Sequence, residues 1–425
     1  MPEETLRYLG LAIESSSYGE DVADPDLHID ITGSSLDSPS EPFIAYEGGI
    51  GRMPANAIPG PYAPAGGTDF AASISSLAYL LHLALGVSEI DTTNVSTVSD
   101  EDHSTGVGET EKDFTLASAP VIQGSFELND GVTTVYATDD GWGKIVESGG
   151  SGISGWIDYS TGDVHLEGLT ESTTYEVDYE SGYYIHTITP VLGNNIPSFN
   201  AFVGKDIFEH KFLGCIINTL NISIEQELCD MAIDVLAQKD KKETITPIED
   251  LLLTSNCHGE RQRSFADCQL KVGDFGGSLS DISAKVRAFT AAINNNGSTE
   301  DNIGLNSRFP QDGTVEALTV TGTITLQFEN TDYLEDFWGD AGGAVDGDPQ
   351  LKALELTIDG GGVSGSGWGS GVISLGRVLL QSVGIQPSGK EKLMQELAYA
   401  AEYDCDSEEI IQAVIQNFNR LHNPA

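Results

Sequence analysis

The sequence is short of positive charge. It contains 20 Lys and Arg against 66 Asp and Glu, which leaves a formal charge of −46. Phosphate backbones repel such a surface unless cations intervene, so we do not expect ordinary DNA or RNA binding. Self-repulsion of this size destabilises a compact chain in dilute salt, whereas a Debye length of roughly 3 Å at 1 M salt removes most of that cost. The composition therefore favours a halophilic source, with an ordinary acidic protein as the alternative.

Long apolar runs and export signals are also missing. Residues 71–85 are too few to span a bilayer and are interrupted by Ser and His. Residues 1–10 place acidic side chains before any apolar run, the wrong order for a secretory signal. Five cysteines are an odd number, and Cys215 and Cys229 lie in apolar, strand-like runs typical of buried free thiols. We expect no disulfide framework.

Patterns that carry chemistry are equally scarce. Residues 360–365 match a dinucleotide-binding fingerprint, but no long helix follows, so a hairpin loop is favoured. Cys257, His258 and Cys268 lack CxxC spacing and a fourth ligand for zinc. The acidic stretches 21–30 and 340–348 do not have the spacing of a calcium loop. We predict a protein that is not an enzyme and holds no metal or cofactor; an acidic hydrolase with dispersed carboxylates is the alternative.

A strand followed by a short helix occurs twice. In residues 65–86, apolar residues first alternate and then recur with helical spacing, with Ser75 or Ser76 predicted to cap the helix and Gly86 to end it. Residues 320–328 alternate in the same way, and a short helix predicted after them ends at Gly339. The repeated order indicates a duplicated unit.

The surroundings of the two units repeat as well. A long Gly- and Pro-containing segment precedes each unit: residues 47–67, the first arm, and residues 294–313, the second arm. Runs of β type follow, at residues 214–236 in the first half and at 351–358, 372–382 and 393–403 in the second; the last run also has helical propensity. The repeat is therefore predicted to be a whole domain.

A different pattern interrupts the first half. Residues 110–182 read as short strands separated by turns, with hairpin signals at residues 129–131 and 160–163. They predict a small inserted all-β module. The predicted division is residues 1–112 and 183–255 for the first domain, 113–182 for the insert and 256–425 for the second domain.

The order of these segments resembles the tail tube proteins of long-tailed, siphovirus-like bacterial and archaeal viruses. The segments that carry the resemblance are residues 8–15 and 17–19, the first arm through Gly51 and Arg52, and residues 70–86, 186–190, 212–220 and 294–328. No single motif is a sharp signature, and together the segments cover most of the chain outside the insert.

The resemblance implies a mainly β protein. Its fold would be two tandem antiparallel β-sandwich or barrel domains, each with a short flanking α-helix, plus the inserted Ig-like β domain. Copies would form rings by joining their inner sheets, and the rings would stack into a tube that viral double-stranded DNA passes through without specific binding. Two domains per chain favour a ring of three copies with pseudo-sixfold symmetry, with a hexamer as the alternative.

The resemblance also implies partners and a location. The protein would be made in the host cytoplasm and lie in the virion tail, where it would meet a tape measure protein, a tail terminator and distal tail or baseplate proteins, and no membrane. A secreted or surface-exposed acidic adhesion protein is the alternative function. The insert would project outward, for adhesion to a host surface or for solubility alone.

Two sets of residues are candidate functional sites. The arms supply candidates for contacts between copies, with simple surface loops as the alternative: Arg52, Met53, Pro59, Tyr62, Arg308 and Phe309. Alternate positions of residues 219–230 supply candidates for a lumen-facing acidic surface, above all Glu225 and Glu227, with an ordinary solvated face as the alternative.

Overall fold

The computed structural model describes residues 7–15, 17–38, 43–45, 56–225, 227–247, 251, 262–298, 302–339, 349–359, 369–386, 392–405 and 407–418. In these residues the chain forms the following strands and two α-helices: β1 (Tyr8–Ile13), β2 (Leu27–Asp30), β3 (Gly33–Ser34), β4 (Phe43–Ala45), β5 (Asn56–Ile58), β6 (Ala65–Ala71), α1 (Ile74–Leu85), β7 (Gly86–Asp91), β8 (Val95–Asp102), β9 (Glu111–Thr115), β10 (Glu127–Asn129), β11 (Val135–Asp139), β12 (Lys144–Glu147), β13 (Ser154–Asp158), β14 (Asp163–Glu167), β15 (Glu176–Gly182), β16 (Tyr184–Pro190), β17 (Phe199–Gly204), β18 (Glu209–Ile224), β19 (Cys229–Leu236), β20 (Lys239–Glu243), β21 (Cys268–Asp274), β22 (Ser280–Asp281), β23 (Val286–Asn294), β24 (Thr319–Gln327), α2 (Asp332–Trp338), β25 (Lys352–Asp359), β26 (Ser370–Gln386), β27 (Met394–Ala401) and β28 (Gln412–Asn417).

The pairing of strands is duplicated along the chain. In the first half, neighbouring strands follow the order β1, β17, β18, β19, β6 and β3. In the second half, the order β21, β25, β26, β27, β24 and β23 repeats it. We call these two sets the first and second repeats. All of these pairs are antiparallel, and the mainly β, antiparallel fold class predicted from the sequence is confirmed.

One long strand in each repeat takes part in two sheets. The early part of β18 pairs with β17 and β20, and its later part pairs with β19. In the same way β26 pairs first with β25 and β28 and then with β27. A bulge marks the change in each strand, between Ile217 and Thr219 in β18 and between Leu380 and Ser382 in β26. Bulges bend a strand, which is what a strand shared between two sheets requires.

The two repeats are joined edge to edge. The later part of β18 pairs on its second side with β23, so that Thr219 lies opposite Asn294 and Ile224 opposite Phe289. This contact, the internal joint, makes one sheet of eight strands in the order β3, β6, β19, β18, β23, β24, β27 and β26. We call it the long sheet.

Helix α1 lies under this sheet, and all of its residues are buried. Ser73 is its N-cap: its hydroxyl accepts from the Ser76 amide at 3.2 Å, and the Ser76 hydroxyl accepts from the Ser73 amide at 3.0 Å. The predicted cap, Ser75 or Ser76, is therefore wrong, because Ser76 takes the N3 position of a capping box that begins two residues earlier than Ser75. The predicted ends at Gly86 and Gly339 are confirmed.

The insert forms a separate eight-stranded sheet in the order β8, β15, β10, β11, β12, β13, β14 and β9. It has a core of its own, which Phe418, from beyond β28, also enters. Strand β8 starts at Val95, so this sheet includes residues 95–102, which the predicted boundary at 113 leaves in the first domain. The turns predicted at residues 129–131 and 160–163 lie between paired strands. The exact domain limits stay a prediction.

A polar, acidic face on the long sheet

One face of the long sheet is apolar and the other is polar. In β18, Leu220, Ile222 and Ile224 are buried, while Asn221 and Ser223 point the opposite way. The registers extend this alternation across the sheet and define the polar face: Gly67 and Asp69; Asp230, Ala232 and Asp234; Thr219, Asn221 and Ser223; Thr290, Ala292 and Asn294; Thr319, Thr321, Thr323 and Thr325; Glu396, Ala398 and Ala400; Ser382 and Gly384.

The charges of the polar face are all negative. Asp69, Asp230, Asp234 and Glu396 belong to it, and none of its residues is Lys or Arg. Partial burial raises the pKa of Asp230, and the neighbouring carboxylates of Glu227, Glu225 and Asp69 raise it further. The remaining residues are short and uncharged. The face therefore combines negative potential with a shallow surface.

The two acidic candidates from the sequence lie at the margin of this face. Glu225 and Glu227 are exposed, in the connection between β18 and β19. Sequence reasoning missed Asp69, Asp234 and Glu396, although the alternation of their strands was visible. Their shared face depends on which strands pair, which no local pattern records. A lumen-facing role for Glu225 and Glu227 stays a prediction.

The structure brings the two arms together. The Tyr62 amide donates to the Arg308 carbonyl at 2.8 Å, and the Arg308 Nε donates to the Gly60 carbonyl at 2.9 Å. The rings of Tyr62 and Phe309 meet edge to face at 5.7 Å between centroids. Pro59 is exposed beside them. Arg52 and Met53 lie outside the described residues.

A carboxylate anchors this arm cluster to the body of the protein. Asp240 on β20 accepts hydrogen bonds from the Tyr62 hydroxyl and, at 2.6 Å, from the Ser38 hydroxyl. The Nε2 atom of His210 also lies 2.5 Å from the Asp240 carboxylate. Burial alone would raise the pKa of Asp240, but these hydrogen bonds hold it below its usual value. Burial first, and then Asp240, raises the pKa of Tyr62. A role for the arms between copies stays a prediction.

In the acidic stretch at residues 21–30, two carboxylates contact other parts of the fold. Asp21 forms ion pairs with Lys211, at 2.6 Å, and with Lys241. Asp26 accepts from the Tyr79 hydroxyl at 2.5 Å. Cys268 lies at the start of β21, whereas Cys257, His258 and the stretches 340–348 and 360–365 fall outside the described residues. Within the described ranges, no group of three His, Cys, Asp or Glu side chains is placed to hold a metal ion.

Neither described helix is long and apolar enough to cross a membrane. No curated protein matches the chain. A family model described as phage tail tube protein matches residues 7–401, which is most of the sequence. That family is a structural one of the virion tail and not a known class of enzyme. A duplicated β fold, a polar acidic sheet face and this match lead to one conclusion: the chain belongs to the phage tail tube protein family.

Proposed function

We propose that copies of this chain close into rings that stack into the hollow tail tube, and that the viral genome passes through it into the host. The polar face carries this proposal. DNA that moves through a tube must not be held by its wall, and carboxylates repel phosphates while Lys and Arg would bind them. Short Ala, Ser, Thr and Gly side chains also offer few groups that reach base edges.

The long sheet is suited to a ring of three copies. Eight strands in each of three copies make a barrel of 24, and barrels of 16–18 strands already enclose an aqueous channel. At about 4.8 Å between strands, the barrel would be about 115 Å around and about 37 Å across, before strand tilt widens it. Three copies would present six repeats, giving pseudo-sixfold symmetry. A ring of six copies is the alternative.

The other parts of the chain suit the outside and the ends of such a tube. The insert has its own sheet and core, so it can project outward and leave the lumen open. A net charge of −46 fits a siphovirus-like particle of a halophilic host, since concentrated salt screens repulsion between stacked subunits. A tape measure protein in the lumen, a tail terminator and distal tail or baseplate proteins at the ends are the expected partners.

Electron microscopy tests the assembly. We expect the purified protein, negatively stained from about 1 M salt, to form rings or hollow filaments of constant width. An acidic adhesin or hydrolase would give neither. Finding the chain as separate folded subunits inside intact particles would refute the proposal.

A charge reversal tests the lumen. Virions that carry Asn221→Lys have one lysine per copy on the polar face, whereas Ser154→Lys puts the same charge at an exposed position at the start of a strand of the insert. Provided that tubes of normal width form, we expect N221K to slow DNA ejection, and added salt to restore the rate because it weakens Lys–phosphate contacts. S154K should eject DNA at the wild-type rate. Equal rates for the two variants would argue against a polar face that meets DNA.

A further inference from the structure

The two ends of the long sheet differ from the internal joint in one respect: among the described strands, none pairs with the outer side of either end. At one end, β26 pairs with β27 through its later part, and no described strand pairs with its other side beyond residue 378. At the other end, β6 is the only strand in the described part of the chain that pairs with β3. Unpaired backbone amides and carbonyls at a sheet edge are ready to pair with another chain.

The duplicated pairing shows what would fit at these edges. The later part of β26 corresponds to the later part of β18, which in the internal joint pairs with β23. The counterpart of β23 in the first repeat is the segment that begins with β3 and continues to the bridge between Asp37 and Ala65. The partner of β26 is therefore the β3 segment of a second copy. We propose that copies join by repeating the internal joint, with β26 of one copy paired with residues 33–37 of the next copy. This inference rests on the proposed ring.

The bulges set the register of this joint. Counting from the extra residue in each long strand, Gly384 corresponds to Asn221 and Gln386 to Ser223. Asn221 lies opposite Ala292 in the internal joint. In the second repeat Ala292 pairs with Thr321. The equivalent pair in the first repeat is Asp37 with Ala65, so Asp37 is the counterpart of Ala292. The joint between copies therefore places Gly384 opposite Asp37 of the neighbouring copy.

Burial on the β26 side supports this pairing independently. Leu220 and Ile222, on the apolar side of β18 in the internal joint, are 0% and 1% exposed. Their counterparts, Val383 and Ile385, are only partly buried. Two β-branched apolar side chains at an open sheet edge lose contact with water when a strand pairs there, which is favourable.

The receiving side has space for these residues. A cleft of about 540 Å³ runs beside β3 and is lined by Ile31, Gly33, Ser34, Val203 and Ile207, among others. In the second repeat the corresponding position beside β23 holds a smaller pocket of about 250 Å³, with Ile224 from the end of β18 on its wall. The larger cleft is where the end of β26 from a second copy enters.

A double cysteine variant tests the joint. In a background with Cys405 and Cys257 changed to Ser, D37C/G384C chains are assembled and treated with a mild oxidant or a short dithiol crosslinker. The two positions lie at opposite edges of an eight-stranded sheet, about 30 Å apart, so a covalent link must join two copies. We expect a ladder of linked chains on denaturing gels that ends at three for a closed three-copy ring. A ladder ending at six would support the joint and replace the trimer by the hexamer.

Two controls separate the possible failures. N221C/A292C places the same pair at the internal joint and should link within one chain, which shows that the geometry permits the bond. D37C/S382C is displaced by two residues and should link poorly. If N221C/A292C links and D37C/G384C does not, although tubes are seen by microscopy, the joint is wrong and the tube function stands. If the wild-type chain forms no rings or tubes, the function itself fails.

Discussion

Replacement of Glu14 should lower the local free energy of unfolding of the first repeat more than any other single carboxylate change near the N-terminus. The Glu14 carboxylate accepts four hydrogen bonds: from the Asn200 amide at 2.6 Å, the Gly214 amide at 2.7 Å, the Ser198 hydroxyl at 2.6 Å and the Gly19 amide at 2.8 Å. The donors from Ser198, Asn200 and Gly214 tie the end of β1 to segments 184 to 200 residues away in sequence.

The size of the effect follows from these donors. Hydrogen bonds to a charged group are worth about 1.5–3 kcal/mol each, but they do not add fully. Burial raises the pKa of Glu14, so removing the carboxylate also relieves a desolvation penalty. We expect Glu14→Ala to lower the local free energy of unfolding by about 3–5 kcal/mol, and Glu14→Gln by about half as much, because one oxygen remains as an acceptor.

Native-state hydrogen exchange of the unassembled subunit measures the local free energy of unfolding in the first repeat. A local measurement is needed because the insert has its own core and can unfold separately. Amides of β1 and β17 should exchange roughly 10²- to 10⁴-fold faster in E14A, since about 1.4 kcal/mol corresponds to a factor of ten. The matched control is Asp24→Ala, which removes an exposed carboxylate from the following loop and should stay within about 0.5 kcal/mol of wild type. Protection in E14A equal to that in D24A would refute the reasoning.

Three further outcomes are expected. Gly322→Ala should destabilise the long sheet by more than about 2 kcal/mol in urea unfolding, because the added Cβ would lie 2.0 Å from the Thr290 carbonyl oxygen and 2.5 Å from the Tyr399 hydroxyl oxygen. The control Gly193→Ala should be nearly neutral, since a Cβ at that position has no heavy atom within 4 Å. His82 in α1 is buried beside His186, and burial lowers its pKa to about 4. Between pH 6.5 and 4 the folded state therefore binds fewer protons than the unfolded state, so the free energy of unfolding falls as the pH drops through that window. The variant His82→Leu should remove about 2 kcal/mol of the stability loss between pH 7 and pH 5, and an unchanged loss would contradict this. The melting temperature of the wild type should rise as the salt concentration increases from about 0.1 to 1 M, because screening reduces the repulsion within a chain of net charge −46. A constant or falling melting temperature would show that this repulsion does not limit stability.

Local patterns predicted the elements of the fold well. The strand and helix of each repeat, the glycines that end the helices and the β character of residues 393–403 followed from alternation and spacing, even where helical propensity competed. The capping residue was wrong because three serines in one stretch satisfy the same preference, and the position at which the chain leaves β6 decides among them. The sequence did not reveal that β8 pairs with the sheet of the insert, because β8 is polar and exposed along most of its length.

The polar face and the arm cluster show the limit of such patterns. Asp69, Asn221 and Thr321 each alternate with apolar neighbours in their own strands, which is a local property. They share one face only because β19, β18, β23 and β24 pair in that order. Likewise, Tyr62 and Arg308 were both predicted to lie in long arms, but their contact with each other closes a separation of nearly 250 residues.

The sequence by itself determined the charge, the class of fold, the duplication and the interruption by a β insert, since composition and short periodicities express these directly. Only the tertiary structure decided which strands become neighbours, where the long sheet ends without a partner and which carboxylates face the same way. The reason is physical: side-chain alternation is set residue by residue, whereas strand pairing is set by the packing of segments far apart in the chain around shared cores.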